Sequence, residues 1–187
     1  MSRGLAGAVL VIIDVQHGFV RPASAHVVPG IRDLAGRWTR AGGTTVLTRY
    51  LNRDGSAFER LIGWSGMMPG TPDVELVPEM AGAARRAVAV VDKHTYSSLT
   101  EEVCGLIAEH GWTDLYLCGI ATESCVLKTA VDAFEAGLTP WIITDLSASH
   151  AGEEAHQAGL LVSSRFIGRG QLITAADVDA RMLRRSA

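Results

Sequence analysis

Six short apolar runs rich in Val and Ile recur along the chain, separated by stretches with helical spacing, and this alternation constrains the fold more than any other feature. Strands of a parallel sheet are buried on both faces, so they read as unbroken apolar runs and must be joined by crossover helices. The strands fall at 8–14, 44–49, 87–92, 114–118, 140–144 and a short last one near 171–173. The fold class is therefore α/β. With 187 residues and 48% hydrophobic content, the chain can bury one substantial core, and a single domain over 1–187 is expected.

Helix signals fill the gaps. A helix over 31–40 stops at Gly42-Gly43, and another from Thr100 carries Glu101 and Glu102 in its first turn with Gly111 after its end. From Ser124 to Ala136, Leu127, Ala130, Val131 and Phe134 share one face, and Gly137 sits at the C′ position. A last helix runs from Thr174, with Asp177 three residues on as in a capping box, to about Arg184. Between Tyr50 and Glu79 the pattern dissolves into Gly, Pro, Met and single aromatics, longer than an ordinary αβ connection; such loops carry function or are surface excursions.

Charge narrows the partners. The net charge of -3, with no Lys/Arg block longer than two, leaves no electrostatic footprint for nucleic acid. A small molecule or another subunit is the expected partner. Residues 1–7 carry only Arg3 as charge, and the apolar run 8–13 meets Asp14 too soon for a signal peptide or a membrane span, so a cytoplasmic protein without a membrane partner is expected. Cys104, Cys118 and Cys125 lack C-x-x-C spacing, which argues against disulfides and a zinc cluster.

Three charged or nucleophilic residues stand at strand ends. Asp14 closes the first strand, where open α/β sheets place ligands, although it could equally cap the next loop. Lys93 closes the third and on its own would read as a solvated lysine. Cys125 follows the fourth strand on the first turn of a helix, whose free amides and partial positive charge favour thiolate and can hold an oxyanion. Cys104 and Cys118 read as inert core thiols.

Asp-Val-Gln-x-x-Phe at 14–19, the Lys93 segment, Gly-Ile-Ala-Thr-x-x-Cys-Val-x-x-Thr-Ala at 119–130, and Asp145 with Ser149 and His156 together resemble the isochorismatase-like cysteine hydrolases over nearly the whole chain. That superfamily includes nicotinamidases, N-carbamoylsarcosine amidohydrolases and biuret hydrolases. The resemblance implies a three-layer α/β/α fold with a six-stranded parallel sheet of order 3-2-1-4-5-6, and a cis peptide at Ile120-Ala121 that turns the amides of Ala121 and Cys125 into an oxyanion hole. It also implies Asp14, Lys93 and Cys125 as the catalytic residues of a cofactor-free amidohydrolase. Lys93 then starts two strand spacings, roughly 10 Å, from Asp14 and must lean across the rim.

One family feature is not met. Nicotinamidases hold a metal with an Asp-x-His after the second strand, where this chain has Tyr50 and Asn52, and no His lies between His26 and His94, so no metal is expected. Gln16, Phe19, Tyr50, Asn52, Trp64, Tyr96 and Thr122 are the candidate substrate contacts, with Phe58 beside them, forming an apolar pocket with a few hydrogen-bonding groups. The aromatics could instead pack the loop onto the sheet or a neighbouring subunit. His17, His26, His94, His110, His150 and His156 show no ligand spacing and are given no catalytic role.

The leading expectation is cleavage of a small non-peptide carboxamide or ureido compound. Vinyl ether cleavage using the Asp as acid, and a non-catalytic binding or redox-sensing role, stay open beside it. The apolar residues around 61–68 suggest a homo-oligomer, dimeric or larger.

Overall fold

In the computed structural model the described residues are 5 and 7–186, so most of the amino-terminal stretch 1–7 lies outside them. The chain runs β1 (Ala8–Ile13), α1 (Val28–Arg40), β2 (Thr44–Tyr50), α2 (Ala57–Ile62), α3 (Ala81–Ala84), β3 (Ala89–Lys93), α4 (Glu101–His110), β4 (Asp114–Ile120), α5 (Leu127–Glu135), β5 (Thr139–Ala148), α6 (Glu153–Phe166), β6 (Leu172–Ile173) and α7 (Ala175–Ser186). All strand pairs are parallel, and their order is β3-β2-β1-β4-β5-β6. This is the three-layer α/β/α arrangement that the family resemblance implies.

Period-two alternation sorts each central strand between two cores. Leu10 and Ile12 of β1, Leu47 of β2 and Tyr116 and Cys118 of β4 pack under Ile31, Leu34, Trp38, Met80, Val178 and Met182, residues of α1, α7 and the turn before α3. On the other face, Val9, Val11, Ile13, Val46, Leu115 and Leu117 meet Val103 and Ile107 of α4 and Ala130 and Ala133 of α5. Every β1 residue is buried, which is why that strand shows no polar position at all. At roughly 25 cal/mol per Å² of apolar area, the two cores hold the sheet rigid beneath the site at its carboxyl rim.

The structure corrects several sequence expectations. α1 starts three residues earlier than 31, because Pro29 stands in the first turn, where its missing N–H removes no helical hydrogen bond. β5 continues past 144 to Ala148, with its register shifted between Leu117 and Gly119 of β4. The helix expected from Ser124 begins instead as a wide π turn over Thr122–Val126. Its buried face consists of Val126, Thr129, Ala130 and Ala133, and Phe134 is 52% exposed. Cys104 is exposed on α4, not a core thiol, whereas Cys118 is buried.

Within 50–79, α2 is capped by Ser56, which accepts from the Glu59 amide, and ends at Gly63 with φ 70°. Leu61 and Ile62, in the stretch expected to mediate self-association, are exposed. No helix among the described residues is long and apolar enough to cross a membrane.

Candidate active site

β1 hands the chain to Asp14 with φ 51°, a left-handed conformation that Asp tolerates better than most residues. Local pairing holds it there: the Asp14 amide donates to the Thr48 carbonyl at 3.2 Å, and the Asp14 carbonyl accepts from the Gln16 amide at 2.9 Å. The carboxylate is fully buried. Thr48 Oγ1 donates to Oδ1 at 2.8 Å, and Lys93 Nζ lies 2.7 Å from Oδ2. Lys93 pairs with Tyr50 at the end of β3, two strands from β1, and its stem spans that gap as the sequence predicts. Its ammonium also donates to the carbonyls of Thr95 at 2.9 Å and Tyr96 at 3.0 Å, and stands 3.5 Å from Cys125 Sγ.

Buried ions are tolerated only when paired and hydrogen-bonded, and this pair has both. Burial alone would favour the neutral amine of Lys93, but the Asp14 carboxylate and the Cys125 sulfur outweigh it and raise the lysine above its ordinary range, so the cation persists. For Cys125 the balance runs the other way. Burial, reinforced by the negative charge of Asp14, pushes the thiol up, and the opposing pull of Lys93 is smaller. Desolvation, the largest effect on the sulfur, thus opposes the thiolate that the sequence reading expects at the helix end and favours the thiol at rest.

The turn carrying Cys125 leaves β4 through Gly119, whose φ is 125° and where an added Cβ would stand 2.0 Å from the Ile13 carbonyl oxygen. Only glycine lets β4 run that close to β1. The Ile120-Ala121 peptide that follows is cis. The π turn then closes with the Val126 amide on the Ala121 carbonyl at 3.1 Å. A hydroxyl relay fixes its far side: Thr129 Oγ1 donates to the Cys125 carbonyl at 2.7 Å and accepts from the Ser98 amide at 2.9 Å, while Ser98 Oγ lies 3.3 Å from Thr48 Oγ1. Thr48 and Ser98 thus belong to the site although nothing in the sequence reading singled them out. A strand Thr beside a strand-end Asp is the only available signal.

A cavity of about 290 Å³ opens over the sulfur. Ile120, Ala121, Ser124 and Cys125 make its floor, and Phe19, Tyr50, Phe58, Ile62, Trp64 and Tyr96 its walls, with Glu123 and His150 completing the lining. Phe19, Tyr50, Trp64 and Tyr96 therefore lie where the sequence places substrate contacts.

Gln16, Asn52 and Thr122 do not. Gln16 accepts from the Tyr50 amide at 2.7 Å and donates to the carbonyls of Tyr50 and Val74, which ties the loop to the sheet. Asn52 Oδ1 accepts from Tyr50, the Arg53 amide and Ser56. The Thr122 hydroxyl is taken by His156 Nδ1 at 2.8 Å. All three are buried polar groups satisfied within the protein, the ordinary fate of such side chains. His150, left among the structural histidines by its sequence spacing, instead stacks on Phe19 at 5.6 Å in the cavity wall. Asp145 faces outward and accepts from the Ala175 amide at the start of α7.

The metal site of nicotinamidases does not fit these residues. Tyr50 and Asn52 face each other through an O–H donor and an amide oxygen 3.3 Å apart, His94 Nδ1 is engaged by the Leu51 carbonyl at 2.7 Å, and this is not a transition-metal donor set.

Comparison with known proteins agrees with the geometry. The Isochorismatase domain model matches residues 8–175. An uncharacterised isochorismatase family protein of Bacillus subtilis is 30% identical over 169 residues, covering 87% of this chain and 88% of its own. Nicotinamidase 3 of Arabidopsis thaliana is 27% identical over 161 residues, 82% of this chain and 79% of that protein. The crystal structure of a nicotinamidase from Bacillus subtilis superposes with a TM-score of 0.78 at 24% identity, covering 89% of this chain and 99% of that one. Sheet order, strand-end residues and similarity over most of its length converge: the chain belongs to the isochorismatase family of hydrolases.

Proposed function

We propose that this hydrolase cleaves the C–N bond of a small non-peptide carboxamide or ureido compound through a thioester on Cys125. The observation that carries the reading is the cluster at and beneath the cavity floor, with Lys93 Nζ 2.7 Å from Asp14 Oδ2 and 3.5 Å from Cys125 Sγ. A thiol whose proton is held by burial needs a base at the moment of attack, and Asp14 is the neighbouring carboxylate.

Sγ bonds to the carbonyl carbon as its proton passes to Asp14, and the amides of Ala121 and Cys125 receive the oxyanion. Collapse breaks the C–N bond, and Asp14 returns the proton to the departing ammonia or amine. Water, deprotonated by the same carboxylate, then attacks the thioester to release the acid and restore the thiol. Lys93 stays charged throughout and remains paired with the Asp14 carboxylate at 2.7 Å.

Two observations weigh against the other readings. Isochorismate carries two carboxylates, and the cavity lining offers no Lys or Arg side chain to receive them. A buried thiol with a raised pKa is a poor redox sensor, because oxidation proceeds through exposed thiolate. Ammonia release from a panel of small amides tests the proposal. Turnover that disappears in Cys125→Ala supports it, and isochorismate cleavage that survives that substitution overturns it.

A further inference from the structure

The charge of the cavity selects among amides. Lys93 lies beneath it against Cys125, yet the three N–H bonds of an ammonium are already shared among Asp14, the carbonyls of Thr95 and Tyr96 and the Cys125 sulfur, so none is left for a substrate. Glu123 lines the same cavity. Its Oε1 accepts from Ser149 at 2.7 Å, while Oε2 is buried with no hydrogen-bond partner among the described residues. An orphaned buried carboxylate oxygen is costly and uncommon, and it invites a donor or a positive charge.

The walls point the same way. Tyr50 packs against Phe58 at 5.1 Å and Trp64 at 5.7 Å, Phe58 against Tyr96 at 4.9 Å, and Phe19 against Trp64 at 6.1 Å. The Tyr50 ring already stands 5.5 Å from the Lys93 ammonium, and Phe19, Phe58, Trp64 and Tyr96 line the rest of the same small volume, an aromatic surrounding of the kind that takes up quaternary and primary ammonium groups.

We infer that the substrate is a cationic amide, a small carboxamide bearing a quaternary or protonated ammonium group that sits among these rings and beside Glu123. The inference rests on the amidohydrolase reading for the reaction, but the cation site stands on the geometry of Glu123 and the rings alone.

Isosteric pairs isolate the charge. Glycine betaine amide differs from 3,3-dimethylbutanamide only by nitrogen for carbon, and 1-methyl-3-carbamoylpyridinium stands against 3-methylbenzamide in the same way. The wild-type protein is expected to show a kcat/KM at least about tenfold higher for the cationic member of each pair. Glu123→Gln should lower that ratio severalfold. Tyr96→Leu, at a rim position 40% exposed, should lower it too and serves if the Glu123 variant does not fold.

Binding is read apart from turnover, by tryptophan fluorescence titration of the wild-type protein with choline and with 3,3-dimethylbutan-1-ol, neither of which has an amide bond. Choline binding at least about tenfold tighter supports the cation site even if no amide is cleaved, in which case only the reaction is misassigned. Equal binding of the two probes, or an equal or higher rate on the neutral amides, overturns the inference whatever the enzyme hydrolyses.

Discussion

The floor and the wall of the cavity are built by different means. Lys93 is paired with Tyr50 at the end of β3, Asp14 directly follows β1, and Cys125 is carried on the π turn that leaves β4, so strands held between the two cores place all three groups. The wall rises from Phe19, His150 and the short helices and turns on either side of β3 within 50–96, and its aromatic side chains lean on one another. One part is positioned by the backbone, the other by side-chain packing. Chemistry that tolerates no displacement belongs on the first, and recognition that varies between relatives belongs on the second.

The sharpest way to test that division is to remove the sulfur. Cys125→Ala is expected to lower amide turnover by a factor of about 10⁴ or more, since no other group on the floor can form the covalent bond. Stability should change by no more than about 1 kcal/mol, because only the sulfur is removed and it borders an existing cavity. Ammonia release and urea denaturation report the two quantities. A variant as unstable as it is inactive would show that the floor is not preorganised by the sheet.

Lys93 gives the next largest effect, and here activity and stability fall together. Lys93→Met leaves the Asp14 carboxylate buried with no cation beside it and only the Thr48 hydroxyl and the Cys125 thiol as neighbours, which should destabilise the fold by about 3–5 kcal/mol and abolish turnover. Adding Asp14→Asn removes the stranded charge, so the double variant is expected to regain much of the stability and none of the activity. If the single substitution is harmless to the denaturation midpoint, the ion pair is not the anchor of the floor.

Alkaline pH probes the same contrast without mutation. Cys125 is raised by burial and by Asp14, and Cys118, under the opposite face of the sheet, by burial and by Asp145. In each case the unfolded chain loses its proton near the ordinary thiol pKa while the folded protein retains it. The stability that this retention preserves is complete below that pKa and falls as pH rises above it. Each thiol should remove about 1.4 kcal/mol by roughly one unit above its unfolded pKa. Denaturation midpoints measured from neutral to alkaline pH should therefore decline, and Cys118→Val should flatten part of the decline. A curve indifferent to that substitution would remove Cys118 from the account.

These differences explain what was legible in the sequence. Buried parallel strands announce themselves as unbroken apolar runs, so the sheet, its order and the three strand-end residues follow from pattern and motif together. Side-chain packing leaves no such trace. Gln16, Asn52 and Thr122 have the chemistry of substrate contacts, yet each was claimed by a backbone or side-chain partner distant in sequence. α2 is an exception that could have been found, because Ser56 followed three residues later by Glu59 is a cap signal. His150 could not, for its ring enters the wall only because β5 runs on to Ala148 and delivers the next residues to Phe19.

The smallest effect belongs to the wall and completes the comparison. Trp64 touches the rings of Phe19, Tyr50 and Phe58, but no ring distance ties it to the reacting sulfur. Replacing it by Leu removes one aromatic face and keeps the site apolar, so the loss should fall on substrate binding. KM is expected to rise by about threefold to tenfold while kcat stays within a factor of about three, the pattern of an interaction made equally in ground and transition states. Asn52 and Ser56 pin the loop independently of that ring, so the wall as a whole should hold its place. Steady-state kinetics on the best amide of the panel separates the outcomes: a kcat loss as large as that of the floor variants would mean that the packed wall positions the reacting carbonyl itself, and that the division between strand-built chemistry and loop-built recognition does not hold in this cavity.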